Sequence, residues 1–420
     1  MRTTLAADSP SLLRQLNTTV VLEVIRKSGP ISRPQLAREA GLSNPTVAHV
    51  VDQLLALGYV LETEASSDEI PRRRGPKAKL LTFHATLGYV LGIDAGADNS
   101  VVKLADLSGA VVAQGRAEHP RSARASDVLA AIRSTVADVL ERGGVAASAL
   151  HAISVGTPGV VDPLTGTISL APQIEGWEGL NLAAELSDLA PCRIVVDNEC
   201  HLALLAEQWR GGAGDAENVL LVQLGVGIGG AVLIDGKLFR GSTGAAGEIA
   251  YMQIGGDNED VPPEGSVGAF EWFAGGRAYR RHGMAAASEP EGHVLLELAH
   301  GDPSAIDARI VFAAAAQGDP VAAGITTTLL GRLGRGVATI AATFNPELIL
   351  VGGGIADAGE AVLGPIRDGV SRFTPHPTTI RLSTLGSDAT ALGAVRRAME
   401  IADELSFSFI TEPMKEVLPA

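Results

Sequence analysis

The sequence predicts an α/β protein in two unlike parts. Residues 1–84 form a winged helix-turn-helix, and residues 85–420 form a body of two similar α/β halves. Three observations predict this. Short, capped helices near the N-terminus precede two strands that flank a basic loop. Strand–glycine turns recur three times along the body. The charge is uneven: residues 1–84 carry a balance of +3 and the remainder −18, within a net charge of −15. Such asymmetry suggests a basic reader joined to an acidic body.

Composition narrows the class. A chain of 420 residues is too long for one core. Two cysteines, Cys192 and Cys200, cannot build a disulfide framework, so a reducing cytoplasm is the expected compartment. No apolar leader and no uncharged apolar run of membrane-spanning length is evident, so no membrane partner is expected. The alanine-rich stretch near 311–343 is broken by Arg332 and Arg335 and suits buried helices.

Residues 12–28 repeat apolar side chains at helical spacing, and Gly29 with Pro30 stops that helix. Ser32, three residues before Gln35, predicts a capping box opening a second helix that Gly41 ends. Leu42 fills the turn, and Ser43 caps a third helix with Pro45 in its first turn. Val47, Val50, Val51, Leu54 and Leu55 give this recognition helix one apolar face. Asn44, Thr46, His49 and Gln53 point away from it, toward bases or phosphates. Strands at Val60–Thr63 and Lys79–Phe83 then flank a wing loop. Its Arg72, Arg73, Arg74 and Lys77 suit an A·T-rich minor groove.

The body opens with a buried strand, Leu87–Gly96, that ends in Asp94 and a glycine turn. Ser100–Asp106 follows as a hairpin partner, then a helix near 126–142, the strand–turn Ala152–Asp162, a strand Ile194–Asp197 and a helix over 199–210. The pattern recurs: Asn218–Gly225 runs into Gly227, Gly229 and Gly230 and a strand Ala231–Ile234, and Leu348–Gly352 ends in three glycines. Two similar halves imply a cleft between them, with turns whose backbone N–H groups can approach a phosphate.

Several motifs are more specific. They are Gly156-Thr157-Pro158-Gly159 with Asp162, Gly176-Trp177, Asp197-Asn198-Glu199, Gly247-Glu248-Ile249, Gly268 with Glu271, Asn345-Pro346-Glu347 running to Gly354, and Ser387-Asp388-Ala389. With these the chain resembles the ROK family of repressors, open reading frames and sugar kinases. It is most similar to the transcriptional-repressor branch, which holds xylose and N-acetylglucosamine repressors. The resemblance covers nearly all of residues 10–400 and implies a two-lobed actin-like ATPase (sugar-kinase) fold behind the winged helix, with one lobe over roughly 85–200 plus the C-terminal end and the other over 200–385.

It also lets each functional position be checked. The family's catalytic base is an Asp after an Asn; here Glu199 follows Asn198, and a base displaced by ~1 Å loses on the order of a hundredfold in rate. Asp98 stands where the first phosphate turn has a Thr, and Val226 where the second has one. These departures weaken nucleotide use, so no catalytic residue and no cofactor are expected. The zinc segment's His position is Tyr251, and its Cys positions are Pro262, Glu264 and Ala269, so no metal is expected. The resemblance places Gln173, Asn198, Glu199, Glu248, Tyr251 and Glu271 around a sugar. Trp177 is expected in the core rather than on the ligand.

The implied function is a sugar-responsive repressor without enzymatic activity. Its partners would be a pseudo-palindromic operator DNA, a monosaccharide or sugar phosphate, and a second copy of the chain in a dimer, or a tetramer. The competing reading is an active sugar kinase with a fused DNA-binding module.

Overall fold

The computed structural model describes residues 10–64, 79–120, 123–254 and 267–411. The N-terminal module comprises α1 (Pro10–Ser28), β1 (Ile31–Ser32), α2 (Arg33–Glu39), α3 (Asn44–Ala56), β2 (Val60–Glu64) and β3 (Lys79–Phe83). The strands form an antiparallel sheet in the order β1-β3-β2, with Glu64 opposite Lys79 where residues 65–78 join the two wing strands. Gly41 takes φ +65° after α2, and the Ser43 hydroxyl accepts the Thr46 N–H at 3.3 Å, as the cap residues predict.

The expected capping box at Ser32 does not form. Ser32 is the N-cap residue of α2 but makes no side-chain cap bond. It is paired with Leu80 in the sheet, and Pro34 at the second helical position has no N–H, which leaves only that of Gln35 for a cap. The Gln35 amide instead donates to Glu39 at 3.1 Å.

The first lobe contains β4 (Tyr89–Ala95), β5 (Asn99–Asp106), β6 (Val111–Glu118), α4 (Ala125–Gly143), β7 (Leu150–Thr157), β8 (Val160–Val161), β9 (Ile168–Ser169), α5 (Leu182–Glu185) and β10 (Arg193–Asn198). α6 (Glu199–Arg210) leads into the second. That lobe holds β11 (Val219–Leu224), β12 (Ile228–Ile234), β13 (Lys237–Leu238), α7 (Ala269–Ala274), α8 (Gly276–Ala287), α9 (His293–Leu298), α10 (Ala308–Ala316), α11 (Pro320–Phe344), β14 (Leu348–Gly352), α12 (Glu360–Phe373) and β15 (Thr379–Leu382). α13 (Ala389–Thr411) is the last element of the described residues.

The lobes share one topology. Their sheets read β6-β5-β4-β7-β10 and β13-β12-β11-β14-β15. In each, three antiparallel strands in a meander are followed by two parallel ones. Each glycine turn therefore falls at the edge where the lobes face each other. The first core packs β4, β5 and β7 against α4 and encloses Trp177; the second packs β11 and β14 against α11 and α12.

α13 belongs spatially to the first lobe although it follows the second. Its early turns lie on β4, where Gly92 gives room for the Val395 backbone. Its later residues Ala398, Met399 and Ile401 share a core with Val21, Leu22 and Ile25 of α1. Arg26 of α1 pairs with both carboxylate oxygens of Asp403, at 2.6 and 2.7 Å, and lies over the Phe83 ring. The junction between module and body is thus packed and ion-paired. Among the described residues, no helix is long and apolar enough to cross a membrane.

Candidate functional site

The lobes enclose a cavity of about 710 Å³. Gln173, Asn198, Glu199, Glu248, Tyr251 and Glu271 all line it, so residues scattered over nearly a hundred positions meet in one cleft. Gln173 and Tyr251 are exposed at its rim. The glycine turns after β4, β11 and β14 line the other half.

Asn198 is mostly committed to structure. It caps α6 by accepting the Cys200 and His201 N–H groups at 2.8 and 3.3 Å, while its Nδ2 donates to the Gly159 carbonyl at 2.8 Å. That arrangement presents the next residue, Glu199, to the cleft at the first position of α6. Glu271 is also partly used. Its Oε2 accepts the Ile228 N–H at 3.4 Å, and its Oε1 lies 3.2 Å from Arg277 Nε. A Cβ on Gly227 would fall 2.5 Å from Glu271 Oε2, so that turn closes onto the carboxylate only because position 227 is glycine.

Asp94, Glu199 and Glu248 differ. No hydrogen bond from a described protein group reaches their carboxylates. Burial, with the charge of Glu199 added, pushes Asp94 up to about 8. Burial and then Glu248 push Glu199 up to about 7. Glu248 is raised by burial and by Glu271, against the opposing effect of His201. Three acids in one enclosed site each make the others harder to ionise. Protonated or ionised, they offer donors and acceptors to vicinal hydroxyls.

The reading of residues missed two features. Asp94 marks a strand end in the sequence, but only the fold brings it beside Glu199. Asp197 ties the first lobe to Arg240 of the second, outside the cleft's lining. Burial works against its charge, yet His201 and Arg240 hold it below the usual carboxylate range. Arg240, from the second lobe, donates to Asp197 Oδ2 at 3.0 and 2.5 Å; His201 Nδ1 lies 3.1 Å from Oδ1 and its Nε2 donates to the Ala246 carbonyl at 3.0 Å. The Asp197–His201 spacing across the start of a helix was the available signal. Trp177 is fully buried and donates to the Thr157 hydroxyl at 2.7 Å, a core position as expected.

On α3, Val47, Val50, Val51 and Leu54 are buried. Asn44 and His49 are exposed and Thr46 and Gln53 half-buried on the remaining surface. The Thr46 hydroxyl is 2.8 Å from that of Ser43. The wing residues Arg72, Arg73, Arg74 and Lys77, and the zinc-segment positions Pro262 and Glu264, lie outside the described residues.

Twin sheets of one topology, a terminal helix returning to the first lobe and a cleft lined by glycine turns and carboxylates define an actin-like ATPase fold, here preceded by a winged helix. The chain belongs to the ROK family, whose sequence pattern matches residues 90–400. A xylose repressor from Caldicellulosiruptor bescii is 27% identical, over 94% of this chain and 98% of its own length. The structure of a ROK family glucokinase from Streptomyces griseus in complex with glucose and AMPPNP is 30% identical with a TM-score of 0.64, and covers 74% of this chain and 100% of its own. A ROK family transcriptional regulator, a homologue of the E. coli MLC protein, shares the fold over 96% of this chain and 100% of its own, with a TM-score of 0.75 at 24% identity.

Proposed function

We propose that this chain is a sugar-responsive, DNA-binding transcriptional repressor of carbohydrate uptake or metabolism genes, whose kinase-like cleft binds a sugar without phosphorylating it. One observation carries the reading. The likeness to the xylose repressor runs over 94% of the chain, whereas the whole glucokinase covers 74%. The difference is large enough to hold the N-terminal module. Glu199, Asp98 and Val226, standing where a kinase has Asp, Thr and Thr, support the loss of phosphoryl transfer.

In this reading Asn44, Thr46, His49 and Gln53 face the major groove and Arg72, Arg73, Arg74 and Lys77 the minor groove. A homodimer sets two such modules on a pseudo-palindromic operator. Sugar held by Gln173, Asn198, Glu199, Glu248, Tyr251 and Glu271 changes the angle between lobes. α13 carries that change, because Thr390 at its start donates to the Glu199 carbonyl at 3.3 Å and Asp403 near its other end holds Arg26 of the module.

The test selects bound duplexes from a random DNA pool with the purified protein, then titrates the best duplex by anisotropy with a sugar panel. An enriched palindrome released by one sugar is expected. A protein that selects no sequence, or one whose DNA binding no sugar changes, overturns the reading. The likeness to a glucokinase keeps a second reading in view, an active sugar kinase with a fused DNA module. A coupled assay with Mg-ATP and the same sugars decides it, since turnover would require that reading.

A further inference from the structure

The cleft is larger than one monosaccharide needs, and its charge is of one sign. Six carboxylates line it: Asp94, Asp98, Glu199, Glu248, Glu271 and Asp357. No Lys, Arg or His is among the described lining residues. Cations nearby are already engaged. Arg277 pairs with Glu271, Arg116 with Glu118 at 2.7 Å, and the buried Lys103 with Gln114 at 2.7 Å and Asp388 at 3.2 Å. A phosphate ester is held by Arg or Lys forks or by free N–H groups, and of these the cavity's described lining offers only the N–H groups of its glycine turns, with Asp98 and Asp357 on the same side.

The two halves differ in how their acids are held. Asp94, Glu199 and Glu248 sit partly enclosed in the deeper half, where burial favours their neutral form. Asp98 and Asp357 are exposed, on the glycine-turn side of the cavity.

Building on the proposed sugar-responsive function, we propose that the effector is an unphosphorylated sugar, and that Asp98 and Asp357 are specificity residues that reject its phosphorylated form. The deeper acids meet the hydroxyls, and the outer pair meets any charge carried beyond them. A neutral sugar passes this filter. A phosphate dianion faces two carboxylates, with no Lys, Arg or His among the described lining residues to offset them. Like-charge juxtaposition of this kind serves to suppress the wrong ligand.

The test is calorimetric titration of the full chain, without added divalent metal, using xylose, glucose, glucosamine and N-acetylglucosamine beside their phosphate esters. At least one free sugar is expected to bind, with its phosphate ester weaker by on the order of a hundredfold. In the double variant Asp98→Asn/Asp357→Asn, the free sugar keeps its affinity and the gap to the ester narrows at least tenfold. An ester that binds as tightly as its parent sugar overturns the inference while leaving the sugar-responsive reading intact. A gap unchanged in the double variant removes the role of the two aspartates. If neither sugars nor esters bind, the proposed function fails and the inference falls with it.

Discussion

At the scale of single residues, the cleft concentrates acids whose neutral forms the fold favours. Asp94 is held near 8 and Glu199 near 7, both far above the unfolded carboxylate range. Between that range and about pH 8 the folded chain therefore keeps protons that the unfolded chain has lost. The sign follows: this contribution to stability is fully present at the acid end of the window and is lost as pH rises through it. Glu199→Gln, which cannot ionise, should make the fall shallower and raise stability at about pH 8 relative to the parent. Urea unfolding at about pH 5.5 and pH 8 measures both, and an unchanged slope would refute the assignment. On α3, Asn44 is exposed, and its side chain makes no hydrogen bond among the described residues that its loss would break. Asn44→Ala should leave the melting temperature unchanged and weaken operator binding by about 1–3 kcal/mol, relaxing preference at one base position. Binding across a panel of operator variants reads this out; uniform weakening at every position would instead mark a phosphate contact.

At the scale of elements, α13 is the part to disturb. Gly393 lies against α6 so closely that a Cβ there would fall 1.8 Å from the Leu202 carbonyl oxygen. Gly393→Ala must therefore force the two helices apart, at a cost of about 3 kcal/mol. Further along, the Arg26 side chain is 7% exposed and that of Asp403 16%. Removing one partner of a buried pair leaves the other uncompensated, so Arg26→Leu should destabilise the chain by about 3–5 kcal/mol. Replacing both Arg26 and Asp403 by apolar residues should recover a large part of that loss. Denaturant unfolding of the single and double variants forms the cycle, and additive losses would show that the pair is not coupled. The segment before α13 is also bolted down. Glu207, fully buried on α6, accepts from the Ser383 hydroxyl at 2.5 Å and from the Thr384 and Leu385 N–H groups at 3.0 and 3.1 Å. The start of α13 therefore moves with α6, which begins at Glu199 in the cleft.

At the scale of the whole molecule, the proposed function makes a thermodynamic demand. If a sugar lowers operator affinity by some factor, the operator must lower sugar affinity by the same factor. Calorimetric sugar titrations with and without bound operator, set beside anisotropy with and without sugar, should give equal ratios, and unequal ratios would mean that a further state takes part. In the proposed reading the body's balance of −18 disfavours DNA, and contact is expected through the module that carries +3. Binding should weaken steeply with salt, by a slope that counts the few phosphates the module neutralises.

Much of this was legible in the chain itself, for local reasons. The Ser43 cap, the Gly41 stop and the apolar face of α3 depend on neighbouring residues, so α3 and its exposed Asn44 and His49 follow from spacing. The strand–glycine turns at Asp94, Gly225 and Gly352 follow in the same way. The motifs around Asn198, Glu248 and Glu271 were enough to nominate the cleft residues, because a recurring site keeps its side chains in recognisable order. Where the local rule failed, at Ser32, a longer-range pairing had claimed the residue.

What only the tertiary structure decided involves contacts between distant parts of the chain. The closeness of Asp94 to Glu199, the Asp197–Arg240 brace between lobes, the Glu207 anchor on residues 383–385 and the union of α1 with α13 join positions tens to hundreds apart. No periodicity or cap signal marks such pairs. They arise when two sheets of one topology face each other and the last helix returns to the first lobe, burying charge that must then find a partner wherever packing places one.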